Sequence, residues 1–264
     1  GKGALSSNTT GDRNTAIGIT ALYYNTTGDY NTASGYYALM SNTTGKSNVA
    51  NGYKALHTTT TGDSNTASGS AALISNTTGG YNTASGTSAL GSNTTGSNNN
   101  ASGYYALVSN TTGSNNTAIG YNADVSSDAL TNATAIGNGA SVNASHKIRL
   151  GNTDITVIEG EVAFSNVSDR RLKKDITSTK YGLQTILKLA PVDYQLISNG
   201  LSQVGFIAQD LKPIVPEAVT GIEGDLEKGE TLGVTYTTLI PVLTKAIQEQ
   251  QALIEAQDKV IQQL

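Results

Sequence analysis

Glycine recurs every seventeen residues through the first half of the chain, and this period restricts the possible folds more than any other feature. Glycine occupies positions 11, 28, 45, 62, 79, 96 and 113 in one column, and positions 18, 35, 52, 69, 86, 103, 120 and 137 in another. Seventeen residues are too few for a helical hairpin, and the glycine, asparagine and threonine of each repeat disfavour helix. The repeat therefore predicts a β-solenoid whose coils pair with one another. We expect two short extended segments per coil, around Asn-Thr-Ala-Ser-Gly and around Ala-Leu, and an advance of about 4.8 Å per coil.

Three further columns predict the interior of the coils. Alanine recurs at Ala16, Ala33, Ala50, Ala67, Ala84, Ala101 and Ala118, and leucine at Leu22, Leu39, Leu56, Leu73, Leu90 and Leu107. Asparagine recurs at Asn14, Asn31, Asn48, Asn65, Asn82, Asn99 and Asn116. We expect a thin interior filled mainly by leucine, and asparagine side chains that bond to one another along the axis. Asp124 departs from the pattern because it stands in the leucine column.

The Asn-Thr-Thr of each repeat matches a glycosylation acceptor, but in a periodic scaffold we interpret it as turn chemistry. Gly1 is in phase with Gly18, so we expect further repeats upstream.

Charge separates the repeats from the rest of the chain. Residues 1 to 146 carry nine of the 36 charged side chains, and the shorter remainder carries 27. We therefore predict a repeat domain over 1–146, a β-rich neck over 147–167 and an α+β domain over 168–264. The neck strands are predicted at 147–152 and 155–164, where apolar and polar residues alternate.

The last region has the pattern of a compact α+β domain. Apolar spacing predicts a helix over 181–189, which ends before Pro191. Strands are predicted over 192–197, over 204–208, and as a pair over 218–222 and 231–236 around the acidic loop 223–230. A long helix is predicted from Thr237, with Pro241 in its first turn.

This long helix has a heptad pattern, which predicts a coiled-coil seam. One column contains Ile240, Ile247, Ile254 and Ile261, and the other contains Leu243, Gln250, Gln257 and Leu264. Leu239, Ala246, Leu253 and Val260 widen the stripe, which favours either more than two helices or packing on the domain itself. Since the repeat core is thin as well, we expect identical chains to associate side by side.

Composition excludes several functions. The net charge of −4 gives no basic surface for nucleic acid, and no apolar run is long enough for membrane insertion. No cysteine is present for thiolate ligands, His146 has no neighbouring ligand residue, and we predict neither a metal nor a cofactor. The repeats contain no glutamate and five aspartates, so a carboxylate pair for glycan hydrolysis is not supported.

Ser168 and Lys173 are a candidate nucleophile and base at close spacing. A serine hydroxyl attacks a carbonyl only when a base takes its proton, and lysine serves only when burial or nearby cations lower its pKa. Arg170, Arg171 and Lys174 are such cations. The alternative interpretation is that this basic cluster is only a solvated edge of the domain.

Two resemblances extend these interpretations. Asn14–Gly18, Asn116–Gly120 and the string at 133–137 resemble the head repeats of trimeric autotransporter adhesins, which form left-handed parallel β-rolls in trimers. That family usually has a shorter period of about fourteen residues.

The second resemblance covers essentially all of 168–264. The motif Ser168-Asp169-x-Arg171-x-Lys173, the string Gly205–Asp210, the pair Pro216-Glu217 and the string Tyr236–Leu243 resemble the intramolecular chaperone domain of phage tail spikes and fibres, including endosialidases. The resemblance implies that the domain trimerises, helps an upstream β-structured fibre to fold, and then cuts itself off before the serine. It places the cut between Val167 and Ser168, with Ser168 and Lys173 as the catalytic dyad and Asp169 and Arg171 completing the motif. We expect the dyad geometry to form only in the trimer.

These features predict a homotrimeric fibre tip of a phage tail or a phage-like contractile injection system, exposed at a cell surface and joined to upstream tail or baseplate proteins. Its enzymatic activity would be limited to a single self-cleavage. The alternative is a bacterial surface adhesin that retains the last domain as a permanent trimer clamp.

Tyrosines that follow the second glycine of their coils are candidates for contact with a host cell-surface glycan or protein. They are Tyr36, Tyr37, Tyr53, Tyr104, Tyr105 and Tyr121. Packing between protomers accounts for them equally well.

Overall fold

The structure is a computed structural model that describes residues 1–162, 165–197, 200–226 and 230–263. Several predicted positions lie outside the described residues: Ala163 and Phe164 of the second neck strand, 227–229 of the acidic loop and Leu264 of the seam. The chain divides into two compact units, Gly1–Ile155 and Thr156–Leu264.

The first unit is a parallel β-solenoid, as the repeat predicts. Its strands are β1 (Thr15–Ile17), β2 (Thr32–Ser34), β3 (Val49–Asn51), β4 (Thr66–Ser68), β5 (Thr83–Ser85), β6 (Asn100–Ser102), β7 (Thr117–Ile119), β8 (Asp124–Val125), β9 (Thr134–Ile136), β10 (Ser141–Val142) and β11 (Ile148–Leu150). Within the described residues, nine of these form one sheet and β8 pairs with β10. Equivalent residues pair in register, for example Ala33 with Ala50 and Ala50 with Ala67.

The coils approach so closely that one glycine column cannot carry side chains. At Gly69, φ is +142° and a Cβ atom would lie 2.5 Å from the carbonyl oxygen of Gly86 in the next coil. Such a contact is far below van der Waals distance, so the second glycine of each repeat is required by the spacing of the coils.

The second extended segment that we predicted, around Ala-Leu, is wrong for the regular coils. These residues form turns, and Leu22, Leu39 and Leu56 have φ values of +51°, +50° and +52°. Left-handed leucine costs roughly 1 kcal/mol or more per residue. Here the leucine side chains are fully buried and the backbone remains bonded between coils, with Leu39 N–H donating to the Ala55 carbonyl at 2.9 Å. Burial of the leucine column offsets the backbone strain.

Asp124 marks the coil where this turn changes. It lies in the extended segment β8, so its carboxylate accepts bonds from the backbone N–H groups of Ser109 and Val125 instead of entering the core. Val125 turns inward in its place and is 2% exposed. Burial raises the pKa of the Asp124 carboxyl.

The predicted asparagine column is confirmed as a buried ladder. Asn48 accepts from the backbone N–H of Asn65 at 2.9 Å and from its side-chain amide at 3.1 Å. Its own amide donates to the Gly62 carbonyl at 2.8 Å. Both partners of Asn48 lie in the next coil, and its amide also donates to Asn31 Oδ1 of the preceding coil at 3.2 Å, so the ladder fixes the register between coils.

The asparagines of Asn-Thr-Thr form a second buried ladder. Asn93 donates to Asn76 Oδ1 at 2.9 Å and to the Gly96 carbonyl at 3.0 Å. Asn42 and Asn110 are fully buried as well, which supports turn chemistry over glycosylation.

Thr59 interrupts this second ladder. It stands where six other coils have asparagine, and its hydroxyl donates to the Asn76 carbonyl at 3.2 Å. In a regular coil the asparagine at this place donates to the one before it, as Asn93 does to Asn76. Asn42 Oδ1 lacks that donor and is buried without a hydrogen-bond partner among the described residues.

We expect Thr59→Asn to stabilise the solenoid, because an unpaired buried acceptor costs about 1 to 3 kcal/mol. A gain of about 1 kcal/mol would raise the thermal midpoint by about 2 to 4 °C for a unit of this size. The matched control is Asn93→Thr, which creates the same break in a regular coil and should lower the midpoint. Thermal unfolding followed by circular dichroism measures both variants, and an unchanged or lower midpoint for Thr59→Asn would contradict the expectation.

The predicted neck is only partly found. The strand predicted at 147–152 is present as β11, but it pairs with β9 and continues the solenoid sheet. Residues 155–162 contain no strand, although the alternating pattern there predicts one. The alternating apolar and polar residues at 155–162 therefore form no β-strand pairing in the single chain.

The second unit contains the predicted helices and strands with shifted bounds, together with a short helix, Ala208–Leu211, that was not predicted. They are α1 (Leu183–Ile186), β12 (Val192–Gln195), β13 (Ser202–Gly205), α2 (Ala208–Leu211), β14 (Val219–Gly221), β15 (Leu232–Val234) and α3 (Leu239–Ile261). β12 pairs with β13 and β14 with β15, both antiparallel. The strand predicted over 204–208 instead ends at Gly205, because Ala208 begins α2 and its side chain is buried.

The long helix α3 has two apolar faces. Leu239, Val242 and Ala246 are buried in the unit, and Glu249 accepts from the N–H of Leu183 at 2.8 Å. Packing on the domain, one of the two predicted uses of the widened stripe, is thus confirmed for Leu239 and Ala246. Most of the predicted seam is exposed in the single chain, at Ile240, Leu243, Ile247, Ile254 and Ile261, as are Leu253 and Val260.

Candidate functional site

The serine and lysine of the basic segment are in contact. Lys173 Nζ donates to Ser168 Oγ at 2.6 Å. A neutral lysine amine at this position could instead accept the serine proton, so the two atoms are placed for general-base activation of the hydroxyl.

A short turn produces this contact. Arg170–Leu172 form a single 3-10 turn, and the N–H of Lys173 donates to the Arg170 carbonyl at 3.1 Å. Asp169 caps the turn by accepting from the N–H of Arg171 at 2.8 Å. The turn thereby folds residue 173 back toward residue 168.

Asp169 and Arg171 hold this turn closed. Arg171 Nη2 lies 2.6 Å from Asp169 Oδ2, and Arg171 Nε also donates to the carboxylate. The hydrogen bonds from the Arg171 side chain and backbone lower the pKa of the Asp169 carboxyl, and the same contact raises the pKa of Arg171. Asp169 and Arg171 thus bond to each other across the turn that brings Lys173 to Ser168.

The site is open to solvent in the single chain. Ser168, Lys173 and the cations Arg170 and Lys174 are exposed, and Val167 is 82% exposed. Our expectation that the geometry forms only in the trimer is therefore wrong, because one chain makes the Ser168–Lys173 contact. The single chain does not supply burial, which is one of the two ways in which a lysine is made available as a base.

The candidate tyrosines gather into two separate clusters. Tyr36 and Tyr53 have parallel rings with centroids 5.8 Å apart, and Tyr37 lies against Tyr36 at 3.9 Å. Tyr104 and Tyr121 repeat the stack at 5.4 Å, with Tyr105 against Tyr104 at 4.3 Å. Five of the six are exposed by about 40% or more, and Tyr37 is half-buried. Hydrogen bonds with Tyr37 and Tyr105 raise the pKa values of Tyr36 and Tyr104.

Two residues of the first cluster were missed in the sequence analysis. Lys54 Nζ lies 5.3 Å from the ring centroid of Tyr53, and the His57 ring lies 5.8 Å from that of Tyr37. Burial, and secondarily the charge of Lys54, lowers the pKa of His57. Lys54 is the charged residue in an otherwise neutral column and His57 is the histidine of its column, and these departures were the available signal.

No group of residues in the described part of the chain has the composition and spacing of a metal site. None of the helices in the described ranges has the length and apolar character needed to cross a bilayer.

By its fold, this protein is a parallel β-solenoid followed by a small α+β unit that ends in a long helix. Residues 168–220 match the model of a protein family described as chaperone of endosialidase. The match begins at Ser168 and includes the basic turn, α1, the β12–β13 hairpin and α2. Comparisons with curated proteins and with solved structures found no match.

Proposed function

We propose that this chain is the receptor-contacting part of a homotrimeric tail fibre, from a phage or a phage-like contractile injection system. In this proposal the solenoid is the fibre, and residues 168–264 are an intramolecular chaperone that brings three chains together in register. The observation that carries the proposal is the family match, which starts at the serine that the 2.6 Å contact joins to Lys173.

A folding aid suits this solenoid because its coils are nearly alike. Pairing that is displaced by one whole coil still places alanine against alanine and asparagine against asparagine. Such slipped ladders are close in energy to the correct one, and parallel pairing is slow. A domain that fixes three chains at one end would remove this ambiguity.

The second unit has apolar surface available for self-association. The isoleucine column of α3 is exposed, and Leu243 of the other seam column lines an apolar groove of about 440 Å³ together with Leu187 and Phe206. Exposed apolar patches of this kind mark interaction surfaces. Three copies that meet through α3 would cover the column.

Release of the chaperone would follow from the dyad. Neutral Lys173 takes the proton of Ser168 Oγ as this oxygen attacks the carbonyl carbon of Val167. The lysine then returns a proton to the departing backbone nitrogen of Ser168, which leaves Val167 as an ester on Oγ. Water hydrolyses the ester, giving a carboxylate at Val167 and a free amine at Ser168. Burial of the turn in the trimer supplies the desolvation that favours neutral lysine.

Two measurements on the purified protein test this proposal: the mass of the native particle and the mass of the denatured chain. Light scattering of the native sample should return three chains per particle, and denaturing mass spectrometry should return two fragments divided between Val167 and Ser168. A trimer of uncut chains would support the permanent clamp of a surface adhesin instead. A folded monomer at micromolar concentration would contradict both functions.

A further inference from the structure

One coil of the solenoid departs from the repeat at several positions, among them Lys54, His57 and Thr59. Lys54 stands where six other coils have Thr20, Tyr37, Ala71, Ser88, Tyr105 and Asn122. His57 and Thr59 lie in the same coil, and Thr59 interrupts the second asparagine ladder. Departures from a local rule are retained mainly at functional sites, where they cost stability. This coil is therefore a candidate for specialised function.

The unusual residues lie against aromatic side chains. Lys54 is beside the ring of Tyr53, which stacks on Tyr36, and His57 is beside Tyr37. We call these five residues the cationic tyrosine cluster.

The ammonium group of Lys54 is available to an external anion. Lys46, another lysine of the solenoid, is paired with Asp29 at 2.8 Å. Lys54, in contrast, makes no ion pair with any residue that the structure describes. An unpaired cation beside exposed aromatic rings offers an acidic ligand a charge-assisted bond together with apolar contact area.

Four repeats later, the solenoid has the same aromatic arrangement without the charge. Tyr104, Tyr105 and Tyr121 correspond to Tyr36, Tyr37 and Tyr53, while Asn122 and Val125 stand in place of Lys54 and His57. The stacked rings are parallel within 6° in both clusters. The chain thus contains its own neutral control.

We propose that the cationic tyrosine cluster binds an acidic saccharide, with a sugar ring against the tyrosines and a carboxylate or sulfate group at Lys54. Tyrosine offers the C–H face of a sugar a large contact area at low entropic cost. This inference deepens the cell-surface recognition in the proposed function and rests on it. The neutral cluster binds sugar rings without selecting for charge.

Binding of oligogalacturonate and of its carboxyl-reduced counterpart, measured by calorimetry, tests the proposal. The protein should bind the acidic oligomer about tenfold more tightly, the size of one charge-assisted hydrogen bond. Lys54→Asn should remove this preference, and Lys54→Arg should retain it. Asparagine suits the backbone because Lys54 and Asn122 share left-handed φ values of +56° and +50°. Dextran sulfate oligomers, measured alongside, show whether sulfate replaces carboxylate.

The gain-of-charge variant gives the converse test. Asn122→Lys in the Lys54→Asn background should restore the preference at the second cluster. An equal affinity for acidic and neutral oligomers, or a preference that survives Lys54→Asn, would overturn the proposal.

The trimer state and self-cleavage of every sample are measured in parallel. If both are intact and no acidic saccharide binds, the inference fails while the proposed chaperone function stands. The tyrosines could instead serve only to pack protomers together. In that case Tyr53→Ser disrupts the trimer and neither wild type nor variant binds sugar, and this result also overturns the inference.

Discussion

Ser168→Ala is expected to leave the chain uncut while the trimer still assembles. The variant removes the oxygen that attacks the Val167 carbonyl, and Ser168 is exposed in the single chain, so the fold loses no buried contact. Lys173→Ala should slow cleavage by about a hundredfold or more, the usual contribution of a general base. Intact mass against time after purification measures both effects.

The segment provides matched controls for this experiment. Lys174→Ala removes an exposed lysine adjacent to the proposed base, and Ser165→Ala removes a serine three residues before the nucleophile. Both variants should be cut at close to the wild-type rate. If Ser168→Ala is processed like wild type, another protease cuts the chain and the dyad is not the cause.

Much of the solenoid could be predicted from sequence because its order comes from repetition. Because the seventeen-residue period is constant, equivalent residues of successive coils must stack. The strand ladder, the buried leucines and the hydrogen bonds of the asparagine column, such as that of Asn48, follow from this stacking. The turn at Ala-Leu could not be predicted in the same way. Leucine seldom adopts positive φ, and only the complete coil shows that burial and inter-coil bonds hold Leu39 there.

The candidate site was predictable in its residues but not in its environment. The spacing of Ser168 and Lys173 indicates a contact between them. It does not show that Asp169 and Arg171 form an ion pair across the same turn. The tyrosine columns likewise do not indicate Lys54 and His57, because neither residue recurs at the seventeen-residue spacing. Contacts between side chains of neighbouring coils, such as that of His57 with Tyr37, depend on rotamers that a one-dimensional pattern does not contain.

Ile247→Asp is expected to abolish the trimer and, with it, self-cleavage. Ile247 is 65% exposed in the single chain, so an aspartate there leaves the core of the second unit unchanged. In a three-helix seam, three carboxylates would meet in an apolar environment, and each buried charge costs several kcal/mol. Light scattering should then return single chains.

The cleavage assay on the same samples separates geometry from desolvation. Because one chain already places Lys173 Nζ at 2.6 Å from Ser168 Oγ, loss of the trimer removes only the burial that we assign to assembly. Gln248→Asp is the matched control, since Gln248 is exposed and lies next to the seam, and it should remain trimeric and be cut. A trimer that survives Ile247→Asp would show that α3 is not the seam. Monomers that still cut themselves would show that the dyad acts in solvent, and assembly would then have no part in timing the release of the chaperone.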